Sequence, residues 1–353
     1  MYSKTQFFLG ANSNIDFVSY FKQLQEQDSS MQLLILKGGP GSGKSSLMKK
    51  ILSFAETKGH ELELIPCASD PSSLDAVIDY TAKFAVMDGT APHTEDPTLP
   101  GARHHILYTG DLWDSEKLSK NSDDIRAVNH SVSSCHKSAG AYIKAAAALI
   151  GENMNYSKSF LNKEKAASFA ARLIKEVHSG KKGAEKRRLL SACSVGEVKV
   201  FSKTPFTLAD TVYVIDDKWG SAADFILKAV SSAARLDGES FIYCPCSIMP
   251  EKCDHLIFPE KRVAILTQNT FLKFSEGEKI SGEEFYKDMP LSHNMELQLK
   301  SAKKLIFSAC SMIKDAKALH DDLEAFYVDA MDFSSMDEIL DSVIKKFYSC
   351  QNM

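Results

Sequence analysis

The chain has 353 residues, of which 44% are hydrophobic and 25% charged, as in globular proteins with room for two domains. Its formal net charge of −4 argues against general attraction to nucleic acid or anionic membranes, so neither partner is expected. We find no basic leader before a long apolar run, and no segment approaches the ~18 apolar residues of a membrane span. With eight scattered cysteines, which fit reduced thiols, these features predict a cytoplasmic protein.

The N-terminal region is predicted to alternate strands with helices. Residues 5–9 form a short apolar strand candidate, and the apolar spacing of residues 16–24 predicts a helix. Residues 33–36 follow as a buried strand, and a periodic helix is predicted to begin at Lys44. Residues 115–178 are alanine-rich and predicted to be mostly helical. The pattern is typical of an α/β protein with long helical extensions.

The pattern G-x-x-x-x-G-K-S at residues 38–45 lies between that strand and that helix, which is the context of a phosphate-binding loop. Glycines allow successive backbone N–H groups to point inward at a helix N-terminus, where an anion is favoured. Lys44 is predicted as a catalytic residue that reaches the β- and γ-phosphates, and Ser45 as a ligand of Mg²⁺. The residues predicted to bind ATP are Gly38, Gly39, Gly41, Ser42, Gly43, Lys44, Ser45 and Ser46.

Asp88 ends an apolar run, residues 84–87, which predicts a buried strand. Open α/β sheets bind ligands at the carboxyl ends of their strands, so Asp88 is predicted to be catalytic and to orient the Mg²⁺ shell with Ser45. The alternative interpretation is an ordinary Asp-Gly turn. Asp75 is a rival carboxylate, although its repetition as Asp254 favours a structural role.

Two further groups of the predicted site stay open. No glutamate follows Asp88, where many ATPases carry the residue that activates water. That base is sought among His93, Glu95 and Asp96, in the loop after the strand. An arginine that stabilises the transferring phosphoryl group is sought among Arg103, Arg187, Arg188 and Arg262.

Laying the chain on itself indicates a tandem duplication of one α/β unit. Residues 211–214 repeat residues 33–36, and residues 263–266 repeat residues 84–87. A second long helical stretch, predicted at about residues 294–347, closes the second copy. The predicted domains are 1–182 and 183–353, joined by a basic connector at residues 179–188.

The second copy has lost the glycine-rich loop. Residues 216–224 read DDKWGSAAD, so that Lys44 is matched by Ala222 and Ser45 by Ala223, while Thr267 replaces Asp88. Aspartates at the mouth of a loop repel a triphosphate, and Trp219 obstructs the backbone approach that glycine permits. The second copy is therefore predicted to keep the fold without nucleotide chemistry.

At FFLGANS, KGGPGSGKSSLMKKI, CASDPSSLD and MDGTAPH, the sequence resembles a family of uncharacterised bacterial P-loop ATPases found mainly in Gram-positive anaerobes. The resemblance extends over nearly the whole chain and implies a cytoplasmic ATP-binding protein, without naming a substrate. Members of that family usually carry a second glycine-rich loop in the C-terminal half. This sequence departs from that pattern at residues 216–223, which argues against a two-site mechanism.

The sequence thus predicts a P-loop NTPase, a hydrolase that cleaves Mg·ATP slowly at one site in the N-terminal half and uses the cycle as a conformational switch. A first alternative is a P-loop kinase that transfers the γ-phosphoryl group to an unknown small acceptor lodged in the loop after Asp88. A second is a nucleotide-sensing scaffold that does not hydrolyse ATP. In the scaffold reading, the helical extensions contact an unidentified protein partner.

Overall fold

The computed structural model describes residues 4–26, 29–290 and 293–348 of an α/β protein. Its strands within those residues are β1 (Lys4–Gln6), β2 (Gly10–Ser13), β3 (Asp16–Ser19), β4 (Gln32–Lys37), β5 (Leu62–Pro66), β6 (Leu74–Asp79), β7 (Phe84–Asp88), β8 (His104–Tyr108), β9 (Glu185–Arg187), β10 (Ser191–Cys193), β11 (Val198–Val200), β12 (Thr211–Asp216), β13 (Phe241–Pro245), β14 (Cys253–Phe258), β15 (Val263–Gln268) and β16 (Glu278–Ser281).

The helices of the same residues alternate with these strands or extend beyond them. The α-helices are α1 (Gln23–Glu26), α2 (Lys44–Thr57), α3 (Ser115–Lys120), α4 (Ser122–Lys158), α5 (Lys163–Val177), α6 (Thr204–Leu208), α7 (Ser221–Asp237), α8 (His293–Asp329) and α9 (Met336–Tyr348). Single 3-10 turns lie at Thr109–Leu112, Pro259–Lys261 and Gly282–Phe285. The helical stretches predicted at 115–178 and 294–347 are thus confirmed.

Two six-stranded sheets share one strand order and one pattern of directions. The first runs β1-β5-β6-β7-β4-β8, and the second runs β9-β13-β14-β15-β12-β16. In each, the middle strand pairs, β5–β6–β7 and β13–β14–β15, are antiparallel, whereas the remaining pairs are parallel. The α/β class is therefore confirmed, with mixed and mostly parallel sheets.

The chain divides into two compact units, each assembled from separate stretches. Unit 1 comprises residues 1–10, 19–138 and 312–353, and unit 2 comprises residues 11–18 and 139–311. Along the chain, the predicted boundary at 182/183 follows the last strand of the first sheet and precedes the first strand of the second. The unit boundaries also pass through helices α4 and α8.

Each unit covers one face of its sheet with a helix from a distant part of the chain. In unit 1, α9 packs on α2, and Phe347 stacks on Phe84 with ring centroids 4.5 Å apart. In unit 2, α5 packs on α7 through Ala170 and Leu173, which join the same apolar core as Ile226. The apolar stripes of these helices supply the burial that holds each sheet.

Two predictions of local structure were wrong. Residues 16–24 do not form a helix: Asp16–Ser19 is strand β3, paired with β2, and helix α1 begins only at Gln23. The connector predicted at 179–188 contains strand β9, which pairs in parallel with β13. Both strands are short: β9 is wholly charged, and β3 has its two apolar residues side by side, so neither shows an apolar alternation that sequence reasoning detects.

None of the helices among the described residues combines the length and the apolar character that crossing a membrane requires.

A buried ion pair lies in the core of unit 2. Lys252 and Asp254 are 5% and 2% exposed, and the lysine ammonium donates a hydrogen bond to the carboxylate. Burial raises the pKa of Asp254, but the charges of Lys252 and His255 outweigh it, so the pKa lies below its usual range. The pair therefore stabilises the fold above about pH 4 and loses that contribution as pH falls through the lowered pKa.

We expect Asp254→Ala to lower the free energy of unfolding by about 3–5 kcal/mol, because Lys252 would stay buried without a counter-charge. The control is Asp210→Ala, which removes the exposed partner of Arg262 and should lower the free energy of unfolding much less, because solvent screens an exposed pair. The measurement is denaturant unfolding followed by the fluorescence of Trp219 in a Trp113→Phe background, since the chain has two tryptophans. Equal losses in the two variants would contradict a structural role for the buried pair.

Candidate functional site

The first loop, residues 38–43, connects the buried strand β4 to helix α2 in unit 1. Gly41 and Gly43 have φ angles of +65° and +79°, the left-handed region that favours glycine. The backbone N–H groups of residues 41–46 surround the start of α2, and none of them donates a hydrogen bond within the described part of the chain. A helix N-terminus with several unsatisfied donors favours an anion.

Lys44 lies over this loop. Its Nζ donates hydrogen bonds to the carbonyl oxygens of Gly38, at 2.9 Å, and Gly39, at 2.7 Å. The same ammonium lies 3.6 Å from Asp88 Oδ2, and the Lys44 side chain is 9% exposed. Ser42 tightens the turn, since its hydroxyl donates to Gly39 O at 2.9 Å. The structure therefore brings the two predicted catalytic residues together.

Ser45 and Ser46, in the first turn of α2, have different surroundings. The Ser45 hydroxyl accepts a hydrogen bond from Leu74 N at 3.1 Å, which leaves a lone pair and the hydroxyl proton for another partner. Ser46 is exposed. Of the two hydroxyls, the one from Ser45 lies between α2 and the start of β6.

Asp88 takes part in a turn with one carboxylate oxygen and faces the first loop with the other. It lies at the carboxyl end of β7, in parallel register with Leu36, the penultimate residue of β4. Its Oδ1 accepts hydrogen bonds from Thr90 N at 2.8 Å and Thr90 Oγ1 at 2.6 Å, which is the turn interpretation. Its Oδ2 faces Lys44, which leaves that oxygen at the loop. Carboxylate and hydroxyl oxygens are ligands that suit Mg²⁺, so Asp88 and Ser45 fit the predicted metal in their chemistry.

The rival carboxylate Asp75 pairs with a histidine of the loop after β7. His93 Nε2 lies 3.4 Å from Asp75 Oδ2, and the Phe21 ring packs on the imidazole with centroids 4.5 Å apart. Burial lowers the pKa of His93, but the hydrogen bond and charge of Asp75, with the charge of Asp88, outweigh it and raise the pKa above its usual value. Lys44 opposes that shift, so His93 belongs to the same electrostatic cluster.

The other two base candidates hold the loop after β7 in place. Glu95 accepts a hydrogen bond from Gln25 Nε2 at 3.1 Å, and burial raises the pKa of this carboxyl. Asp96 accepts one from Lys37 Nζ at 2.9 Å, at the end of β4. Lys37 also donates to Gly89 O at 2.9 Å. Of the three candidates, His93 is the one in electrostatic contact with both Lys44 and Asp88.

The arginine candidates are engaged elsewhere in their own units. Arg103 donates to Ser29 O at 2.7 Å, Arg187 pairs with Glu185, and Arg262 pairs with the exposed Asp210. Arg188 is 1% exposed.

Sequence reasoning missed the C-terminal segment, residues 324–336, which packs against the outer side of the first loop in unit 1. A Cβ added to Gly41 would lie 2.8 Å from the carbonyl oxygen of Glu324. Added to Gly39 it would lie 3.2 Å from the rings of Trp113 and Tyr327, and added to Gly43 it would lie 3.2 Å from Met336. No pattern links residues almost three hundred positions apart, so the sequence carried no signal for this contact.

The segment is also tied to the turn after β8. Asp114 N donates to Ala330 O at 2.7 Å, and Asp332 N donates to Leu112 O at 2.9 Å, around a bridge between Trp113 and Met331. The indole Nε1 of Trp113 is buried and has no hydrogen-bond partner among the described residues. Trp113 therefore lies beside the first loop with an unused donor.

The second loop, residues 217–220, connects β12 to α7 in unit 2 and is shorter than the first, with four residues instead of six. Each loop ends in a left-handed glycine directly before its helix, Gly43 in the first and Gly220, with φ of +83°, in the second.

The helix starts correct the residue pairing inferred from sequence. Ser221 follows Gly220 as Lys44 follows Gly43, so Ala222 lies at the position of Ser45. The inferred match of Lys44 with Ala222 was wrong by one residue, because the shorter loop shifts the register between strand and helix.

One group of three potential metal-ligand residues lies close together within the described ranges: His320, Asp321 and Glu324, with ligand atoms within 4.8 Å of one another. They lie on α8, and the carbonyl of Glu324 approaches the first loop. Exposed groups of this kind are common without a metal, so they carry no assignment.

Comparison with protein-family models, with curated proteins and with solved structures gave no match for this chain.

Asp75→Asn is expected to lower the pKa of His93, because the amide removes the charge that opposes desolvation. The measurement is an NMR titration of the histidine ring protons, in which His105, whose pKa is lowered by burial and by Lys346, is the internal control. Because the folded pKa of His93 is raised, the pair stabilises the fold below about pH 6.5 and loses that contribution as pH rises through the folded pKa. An unchanged His93 titration would refute the pairing.

Proposed function

We propose that this chain is an ATP-binding P-loop NTPase with one nucleotide site, formed in unit 1 by the first loop, the start of α2 and Asp88. The observation that carries the proposal is the row of N–H groups at residues 41–46, which lack acceptors among the described residues. Unsatisfied donors at a buried helix start are costly unless an anion or water binds there. A nucleotide phosphate is the anion that this arrangement suits best.

The resemblance to bacterial P-loop ATPases supports the same proposal, as does the repeated strand order of the two sheets. We infer a tandem duplication in which the second copy keeps the sheet and the left-handed glycine before the helix, but lacks the lysine and serine. Chemistry is thus assigned to the first copy alone.

Each residue of the site has a role in binding or in holding charge. Lys44 would exchange the carbonyls of Gly38 and Gly39 for the β- and γ-phosphate oxygens, a gain because hydrogen bonds to a charged acceptor are stronger. Ser45 and Asp88 would hold Mg²⁺, directly or through its water ligands. The bound metal ion supplies charge neutralisation between the two terminal phosphates.

His93 makes hydrolysis slow in this proposal. A raised pKa keeps more of the imidazole protonated near neutral pH, which weakens it as a base for water. The protonated ring instead offers positive charge near Asp88 and Lys44, where charge on a phosphoryl group would develop. Slow turnover is the behaviour of a switch more than of a metabolic enzyme.

The C-terminal segment is the element whose contacts with the first loop change with the nucleotide state. Its backbone at Glu324 and its side chains at Val328 and Met336 contact the glycines of the first loop. A loop that reorders around phosphate cannot shift at Gly41 or Gly43 without moving these contacts, because packed interiors leave little free space.

Lys44→Ala is expected to reduce phosphate release from Mg·ATP by at least about 100-fold and to weaken ATP binding, since it removes the ammonium that meets the terminal phosphates. The matched control is Lys50→Ala, which removes an exposed lysine of the same helix that pairs with Asp337. Phosphate release and nucleotide binding are measured on the same samples, with binding followed by Trp113 in a Trp219→Phe background.

The outcomes separate the candidate functions. Absence of Mg·ATP binding, or a Lys44→Ala protein equal to the parent, would refute the nucleotide site. Tight binding without release would replace the NTPase by the non-hydrolysing sensor. Consumption of ATP only when a small acceptor is added would replace it by the kinase.

A further inference from the structure

The second loop already contains an anion that belongs to the chain. Asp217, which is 1% exposed, accepts hydrogen bonds at Oδ2 from Ala223 N, at 2.9 Å, and at Oδ1 from Trp219 N, at 3.2 Å. The phenol of Tyr286 also donates to Oδ1, at 2.9 Å. The carboxylate thus lies at the N-terminus of α7 and is held by two backbone N–H groups and one hydroxyl.

The hydroxyl of Tyr286 completes the set of acceptors at this helix start. It accepts a hydrogen bond from Ala222 N at 3.1 Å and lies 3.0 Å from Ser221 Oγ. Ser221 Oγ in turn accepts a hydrogen bond from Ser157 Oγ at 2.8 Å. Burial and the charge of Asp217 raise the pKa of Tyr286, so the phenol stays protonated and donates. Three N–H groups are therefore satisfied in the second loop, those of Trp219, Ala222 and Ala223, whose counterparts at Ser42, Ser45 and Ser46 are unused in the first.

The space for this carboxylate comes from an exchange of side chains between the two loops. In unit 1, a Cβ on Gly38 would lie 2.0 Å from Thr109 Oγ1, which opens the 3-10 turn after β8. In unit 2, the corresponding turn after β16 opens with Gly282, and a Cβ there would lie 2.8 Å from the Cβ of Asp217. Where the first loop has glycine against threonine, the second has aspartate against glycine, so Asp217 is accommodated by a matched change.

We propose that the Asp217 carboxylate is the resident anion of the second loop, occupying the place that a phosphate takes in the first and holding unit 2 permanently in the anion-bound arrangement. An oxyanion from solution then has no site in unit 2. The proposal rests on the proposed function only in treating the first loop as the one that exchanges its anion.

The tethered carboxylate excludes a free phosphate for two physical reasons. It is covalently attached, so it forms its hydrogen bonds without losing the translational freedom that a free ion loses on binding. Its charge also repels a phosphate, and Trp219, which is 5% exposed, buries the loop. Removal of the carboxylate should therefore create an anion site in unit 2, where the parent protein has none.

The test uses the full chain with Trp113→Phe, so that Trp219 alone reports on unit 2. Asp217→Ala is expected to lower the melting temperature followed by Trp219 by about 3–8 °C, because three donors lose a charged acceptor. Inorganic phosphate at millimolar concentration should then recover at least half of that loss, and should shift the parent by clearly less. Asp216→Ala, which removes an exposed neighbouring carboxylate and its hydrogen bond from Gln268 Nε2, is the matched control and should show no phosphate-dependent recovery.

Asp217→Asn keeps the shape of the side chain and covers the case in which the alanine variant does not fold. The amide should lower the melting temperature less than alanine and should give no phosphate-dependent recovery, because it still fills the space. An unchanged melting temperature in both Asp217 variants would overturn the proposal. So would a phosphate response in Asp217→Ala no larger than that of the parent.

The two proposals fail separately. Mg·ATP binding reported by Trp113 in a Trp219→Phe background tests unit 1, and Asp217 variants should leave that binding within about twofold of the parent. Loss of the Trp113 response with the Asp217 effects intact would refute the nucleotide site and leave the resident anion standing. A normal Trp113 response without Asp217 effects would do the reverse.

Discussion

The constraint on which the structure depends is the need of a helix N-terminus for acceptors when it begins directly after a buried strand. Six residues separate helix α2 from β4, and four separate helix α7 from β12. The first N–H groups of such helices have no partner in their own helix, and water reaches them poorly inside an α/β unit. In unit 2 the chain supplies the acceptors itself, through Asp217. In unit 1 the described residues supply none, and the acceptor has to be a ligand or water.

Charge at the first loop is balanced by residues of the chain itself, and in the proposed nucleotide site this balance would determine which contacts binding exchanges. Lys44 lies near Asp88 and donates to two carbonyls, while His93 faces Asp75. The hydrogen bonds of the ammonium to carbonyls are already charge-assisted, and an anionic acceptor would add Coulomb attraction to them. In the proposed nucleotide site, moving the Lys44 ammonium from carbonyls to phosphate would therefore be favourable, even though it would weaken the contact with Asp88. A metal ion bound by Asp88 would then replace Lys44 as the partner of that carboxylate, so metal and nucleotide would support each other.

Sequence reasoning succeeded where chemistry is local and failed where it depends on distant packing. The first loop, the helix that starts at Lys44 and the position of Asp88 at a strand end follow from residues that are neighbours in the chain. Strand β9 was hidden among charged residues because edge strands need little apolar surface. The start of helix α7 was misplaced because the second loop has two residues fewer than the first. The C-terminal segment was invisible because its contacts join residues almost three hundred positions apart.

The glycines of the two loops show two different reasons for glycine in a loop between a strand and a helix. Gly220 remains in the second loop, where no external phosphate is expected, because a left-handed residue directly before the helix is a requirement of the turn itself. At Gly41 two constraints act together. Its φ is positive, and the carbonyl of Glu324 approaches too closely for a Cβ. The first loop is thus limited by its own left-handed turn, which the proposed phosphate site would use, and by its contact with the C-terminal segment. Because both limits act on the same backbone, a shift of the loop on one side must also change its contacts on the other side.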